Sequence, residues 1–174
     1  KLALANTDQR IQSGKSVSAG FLFATLLWPD LLKNWKANLA KGMANIPALQ
    51  DAMDETIATQ SSGMTIQRRF ESDMREIWSM QPRFERRVGR YPYRLIDMPR
   101  FRAGYDFMLL RCATGEQNPT LGEWWTNFIA ADPAGQEALM ASAKTEIGNT
   151  TTSPTKRRRR RKPKSTSTVE VSSG

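Results

Sequence analysis

Histidine is absent from this chain of 174 residues, and cysteine occurs once. The first absence removes the commonest general base and metal ligand, and with it Ser-His-Asp catalysis and the ordinary zinc sites. The second excludes an intramolecular disulfide. Cys112 lies at helical spacing from Phe101, Tyr105 and Met108 and reads as a small buried apolar residue in a reducing compartment. Long apolar runs are missing as well. The longest, Ala19 to Trp28, is interrupted soon after by Pro29, Asp30 and Lys33, short of the ~20 residues a membrane span needs. No transmembrane segment is expected, and the first residues lack the charged head and apolar stretch of a signal peptide. The expected location is cytoplasmic. The chain opens on Lys1 rather than Met and reads as a fragment of something longer.

Two further absences bear on chemistry. No Gly-rich phosphate loop stands between a strand and a helix. Carboxylates gather only at Asp51/Asp54/Glu55 and Glu71/Asp73/Glu76, where partners three or four apart on a helix share a solvated face and read as surface charge. No catalytic residue, metal ligand or cofactor is therefore assigned, and the fragment alone is not expected to be an enzyme.

What the chain has in abundance is positive charge. The run Lys156-Arg157-Arg158-Arg159-Arg160-Arg161-Lys162-Pro163-Lys164 is set among Ser, Thr and Pro. Like charges at that density repel and cannot fold unaided, so residues 149–174 are expected to form a disordered polycationic tail. The tail holds eight Lys and Arg against Glu170 alone. A second cluster lies in the body, where residues 68–111 carry eleven Arg against six carboxylates. Each cation that neutralises a phosphate releases a counterion, giving affinity without sequence preference and with strong salt dependence. Two separate basic clusters favour nucleic acid over a merely solvating tail or a nuclear address.

Residues 1–148 have the patterning of one helical body. Phe21, Thr25, Trp28, Leu31, Leu32, Trp35 and Leu39 recur at three- and four-residue steps. Pro29 interrupts that stripe, and a break or kink is expected there, with Pro29 opening a second helix that Gly42 closes. Pro47 is expected to start the next helix, carrying Leu49, Met53 and Ile57 inward, and Ser61-Ser62-Gly63 to end it. Thr65 is the expected N-cap of a helix whose apolar face runs from Ile66 to Phe84, bent at its end by Pro82. Residues 86–97 suggest a loop and a short helix. Pro99 opens a helix with Phe101, Tyr105, Met108 or Leu109 and Cys112 inward, closed near Gly115, and Pro119 begins another with Leu121, Trp124, Trp125 and Phe128. An Ala-rich helix follows from Pro133 to Ile147. With no alternating strand pattern, the fold class is all-α, an irregular array of seven or eight helices around a single core.

The densest mixture of Arg and Tyr falls at Arg86, Arg87, Arg90, Tyr91, Tyr93 and Arg94. Guanidinium groups make forked hydrogen bonds to phosphate, and tyrosine stacks on unpaired bases, so this interleaving suits single-stranded RNA. Core packing with the hydroxyls at the surface is the alternative for Tyr91 and Tyr93. The five Trp lie on apolar stripes and read as core.

Three segments carry a family likeness: Phe21-Leu-Phe-Ala-Thr-Leu-Leu-Trp-Pro29, Arg68-Arg-Phe-Glu-Ser-Asp-Met-Arg-Glu-Ile-Trp-Ser-Met-Gln81, and above all Pro99-Arg-Phe-Arg-Ala-Gly-Tyr-Asp-Phe-Met-Leu-Leu-Arg111. With Trp124-Trp125 and the basic tail behind them, they resemble the C-terminal part of bacterial poly(A) polymerases, enzymes similar to CCA-adding tRNA nucleotidyltransferases. The likeness covers roughly residues 7–140. It implies the helical body and tail of an enzyme whose catalytic head, with a Gly-Ser motif and paired Asp residues holding magnesium, transfers AMP from ATP to an RNA 3′ end. None of those catalytic elements is in this chain. By position the resemblance implies that Arg83, Arg86, Arg87, Arg90, Arg94, Arg100 and Arg102 belong to an Arg-rich region facing RNA, with Arg102 and Arg111 alternatively paired with Asp106 or helix ends. Single-stranded RNA, the catalytic head and RNA-decay proteins are the implied partners. Rival readings are a CCA-adding parent, a protein-interaction module with a basic tail, and a helical domain with a solubilising tail.

Overall fold

A computed structural model describes residues 18–61 and 66–150. Among these the chain forms seven α-helices and no strand: α1 (Ala19–Ala40), α2 (Asn45–Ser61), α3 (Arg68–Met80), α4 (Tyr91–Ile96), α5 (Phe101–Ala113), α6 (Pro119–Ala130) and α7 (Pro133–Thr150), with a 3₁₀ turn at Gln81–Arg83 after α3. The all-α expectation holds. The Thr65 cap, the Ser62-Gly63 stop and residues 151–174 of the tail lie outside the described residues, while residues 149 and 150, expected to be tail, end the last helix; the nearest described cap of α3 is Gln67, whose side chain makes no capping bond.

α1 corrects one expectation. Pro29 neither ends it nor opens a second helix, and 22 residues run through it unbroken. A proline inside a helix costs about 3 kcal/mol through its missing amide hydrogen and its clash with the preceding turn. Here the residues on either side are anchored. Leu27, Trp28 and Leu31 are buried against α2 and α3 while Pro29 faces solvent, and the Ala24 carbonyl accepts the indole N–H of Trp78 at 3.0 Å. Tertiary packing outweighs the local defect. Gly42, at φ +87°, closes the turn after α1 as expected, and Leu39, expected on the inner stripe, is exposed instead.

α2 starts two residues before Pro47 and buries Ala48, Leu49, Ala52, Met53, Thr56 and Ile57, a three-and-four repeat facing α1. The core is two clusters rather than one. The first joins Leu27, Trp28, Leu49, Met53, Ile77, Trp78 and Phe107, and the second joins Met80, Phe84, Leu95, Met108, Trp125 and Phe128. α5 lies between them, sending Phe107 and Leu110 to one side and Tyr105 and Met108 to the other, and so is apolar on two faces. Gly104 lets α5 come close to α3, since a Cβ there would stand 2.8 Å from the Met80 sulfur.

α5 also departs from expectation at its start. Pro99 does not open it; the amide of Phe101 bonds the Met98 carbonyl at 3.1 Å, and Arg100 caps the helix at φ 62°, ψ 11°. Proline followed by a left-handed residue inside such a bond is the pattern of a type II turn, where glycine is the usual second residue. α6 begins at Pro119, with the Asn118 side chain accepting from the Thr120 amide at 3.0 Å. α7 runs on to Thr150, past Ile147. Cys112 is half-buried rather than buried, its Sγ 3.4 Å from the Asn118 carbonyl, and burial pushes its thiol pKa up. Trp28, Trp78, Trp124 and Trp125 are buried and Trp35 half-buried, as their stripes imply.

Candidate nucleic-acid interface

The Arg-rich face is built by the chain's passage from α3 through the 3₁₀ turn to α4. Pro82 tightens the end of α3 into that turn, and Phe84 plunges into the second cluster, fully buried. The short helix α4 is then held by two inward residues three apart, Pro92 and Leu95, both buried. Tyr93 and Arg94 between them must point away and are exposed, as are Arg90 and Tyr91 just before Pro92.

The eleven arginines of residues 68–111 divide by what holds them. Five are tied to carboxylates: Arg75 to Asp54 at 2.7 Å, Arg87 to Glu146 at 3.3 Å, Arg100 to Asp73 at 2.8 Å, Arg102 to Asp106 at 3.1 Å, and Arg111 to Glu116 at 2.9 Å. Arg111 is structural. Its other arm donates to the Gln81 side-chain oxygen at 3.1 Å, its guanidinium lies 4.6 Å from the Trp28 ring centre, and Glu116 accepts the Trp28 indole N–H. Arg102 makes the ion pair with Asp106 that the sequence offered as an alternative. Arg87 is largely inside, with its Nε shut from solvent and unbonded.

Arg68, Arg69, Arg83, Arg86, Arg90 and Arg94 are exposed and make no ion pair with a described residue. Arg83 reaches the Met98 sulfur at 3.2 Å, and Arg86 lies flat on Tyr91, 3.9 Å from the ring centre. Such a cation–π contact holds a guanidinium in place without neutralising it. Tyr91 and Tyr93 are not core. Tyr93 leans one face on Phe128, ring centres 5.5 Å apart, and keeps the rest at the surface. Arg83, Arg86, Arg90 and Arg94 are therefore exposed cations without a carboxylate partner among the described residues, in the same stretch of chain as two surface tyrosines.

The structure thus separates the sequence candidates. Arg83, Arg86, Arg90, Tyr91, Tyr93 and Arg94 are exposed, and these arginines have no ion-pair partner among the described residues, whereas Arg87, Arg100 and Arg102 are committed to carboxylates. Lys156, Arg157, Arg158, Arg159, Arg160, Arg161, Lys162 and Lys164 lie outside the described residues. Arg68 and Arg69 belong to the exposed cations but were not among the candidates, although their adjacency at the start of α3 was a visible signal. Among the described residues no three His, Cys, Asp or Glu come together in a way that could hold a metal ion. No helix among them is long and apolar enough to cross a membrane.

An all-α body with exposed arginines that have no carboxylate partner, followed in the sequence by a polycationic run, is a basic helical module. Residues 41–164 match the family described as the polymerase A arginine-rich C-terminus, and the chain belongs to it. Over 141 residues, 79% of the chain, it is 34% identical to poly(A) polymerase I of Salmonella typhi and 33% identical to that of Escherichia coli O157:H7. To poly(A) polymerase I of Haemophilus influenzae it is 29% identical over 142 residues. The chain spans about 30% of the length of these relatives. The resemblance read from the sequence is therefore correct at the level of the family.

Proposed function

We propose that this chain is the RNA-holding part of a poly(A) polymerase: it grips a single-stranded RNA by its phosphates while a catalytic head outside it, loaded with ATP and magnesium, adds adenylates to the 3′ end. The observation that carries this reading is the set of exposed arginines between Arg83 and Arg94 that have no ion-pair partner among the described residues, in the same stretch of chain as two surface tyrosines. Guanidinium groups with no carboxylate partner are the ones free to exchange counterions for phosphate. The contribution is capture and positioning, which lowers the entropy cost of bringing a 3′ end to a reacting nucleotide. The described residues offer no donor set for magnesium, so no chemical step is assigned to them. The names of the relatives favour a poly(A)-adding parent over a CCA-adding one.

Titrating the affinity of the full chain for a single-stranded oligoadenylate against salt tests the reading. Each engaged cation contributes about −0.7 to the slope of log K on log salt for a single strand. A steep slope that becomes shallower, without vanishing, when residues 149–174 are removed is the expected result. A flat profile, or affinity unchanged by removing the tail, contradicts it.

A further inference from the structure

The first half of α1, residues 19–28, holds no charged residue, and its one hydroxyl, on Thr25, is turned onto the Phe21 carbonyl at 2.9 Å. A helix at the surface of a finished core is apolar along one stripe; this one is apolar all round. Its inner side is covered. Gly20, Ala24, Leu27, Trp28 and Leu31 are buried, and α1 packs on α2, α3 and α5. The opposite side carries Leu22, Leu26, Pro29, Lys33 and Lys36, which recur at four- and three-residue steps and so form a second stripe. Leu26 is 66% exposed, the most exposed large apolar side chain among the described residues, and Pro29, Lys33 and Lys36 are exposed with it. Neither lysine makes an ion pair with a described residue.

One exposed leucine calls for no explanation. The proline beside it does, because an internal proline costs about 3 kcal/mol and Pro29 joins neither core cluster. Having no amide hydrogen, it also leaves the Thr25 carbonyl, one turn back, without its usual helical donor. The match to the arginine-rich family begins at residue 41, directly after α1 ends, and the chain spans about 30% of the length of its poly(A) polymerase relatives. α1 thus lies before the family match in sequence and within the first core cluster in packing. We infer that α1 is a strut shared by two parts of a polymerase: its inner side belongs to the arginine-rich module, and the outer stripe is the docking surface for the preceding part of the polypeptide, which presents an apolar patch edged by carboxylates. The apolar patch meets Leu22, Leu26 and Pro29, and the carboxylates meet Lys33 and Lys36. The inference rests on the proposal that a catalytic head lies outside this chain, and not on how RNA is held. A second copy of the chain is a poorer occupant. Two such stripes laid parallel set lysine against lysine, and a stable interface between separate molecules takes about 20–30 residues a side. Parts of one polypeptide need less, because their link makes the contact intramolecular.

The test puts a cysteine at position 26, as Leu26→Cys with Cys112→Ser, in this chain and in the full-length polymerase containing it, and reads maleimide labelling of the residue-26 peptide by mass spectrometry. Labelling should be fast in this chain and about tenfold slower in the full-length polymerase, since the rate follows the population of the open form. Ala58→Cys, on the exposed side of α2, should label alike in both. Equal rates at position 26 in the two proteins, or a slowing that position 58 shares in full, overturns the docking surface. Slow labelling at position 26 already in this chain also overturns it: a rate that falls with protein concentration points to a second copy, and one that does not points to residues 1–17. Protection at position 26 in the polymerase, from a chain without salt-dependent RNA affinity, supports the docking surface and overturns the RNA-holding reading.

Discussion

Replacing Arg111 by methionine keeps an apolar stem in place and deletes the guanidinium that joins three parts of the fold. Arg111 is 11% exposed and its partner Glu116 is 29% exposed, so the pair is partly withdrawn from solvent. The same group serves the buried Gln81, whose amide bonds the carbonyls of Ile77 on α3 and Gly104 on α5 at 3.0 and 3.2 Å. Without Arg111 the Gln81 oxygen loses its donor, at about 1–3 kcal/mol, and a charge-assisted bond of about 1.5–3 kcal/mol disappears. The contact with the Trp28 ring adds about 1 kcal/mol. Groups in one network do not add, so a net loss of about 3 kcal/mol is the working figure. In a domain of this size that lowers the melting temperature by about 10 °C. Arg102→Met is the internal control. Arg102 is 72% exposed in an i,i+4 pair with Asp106, a contact worth about 0.3–0.5 kcal/mol. Urea or thermal unfolding followed by circular dichroism reads both. Equal shifts in the two variants, or a loss under about 1 kcal/mol for Arg111→Met, would refute the network as a structural tie.

Gly20→Ala should cost about 1–3 kcal/mol, because its new Cβ meets the Asp73 Cβ at 2.5 Å and α1 must move off α3; unchanged urea unfolding would contradict that packing. Pro29→Ala should raise stability by about 1–2 kcal/mol by restoring a helical hydrogen bond, and a lower unfolding midpoint would show that the proline shapes α1. Cys112 should react with iodoacetamide more slowly in the native chain than in urea, since burial raises its pKa and withholds the thiolate. Because the folded-state pKa is the higher one, the associated stability is present below the ordinary thiol range and fades as pH rises through and above it.

The helices were legible where apolar spacing and turn residues agreed. α2, α6 and the Pro82 bend follow from their own patterns, and so does the loop and short helix within 86–97. Pro29 misled because its effect is local, whereas Leu27, Trp28 and Leu31 are held by distant helices. The start of α5 misled because proline marks a turn as readily as a helix, and nothing in the letters places Arg100 in a left-handed conformation. The Arg-rich region was visible as composition, but its division was not. Arg102 and Asp106 are helical neighbours and their pairing could be read, whereas Arg100–Asp73 and Arg87–Glu146 join residues far apart in the chain.

The stretch between Arg83 and Arg94 is tested most directly by the salt dependence of RNA affinity in a double variant, Arg90→Ala with Arg94→Ala. Neither side chain has an ion-pair partner among the described residues, so circular dichroism and the melting temperature should not change. The slope of log K on log salt should fall by about 1.4, two cations at about 0.7 each. An unchanged slope in a folded variant would contradict the claim that these free arginines hold the RNA backbone.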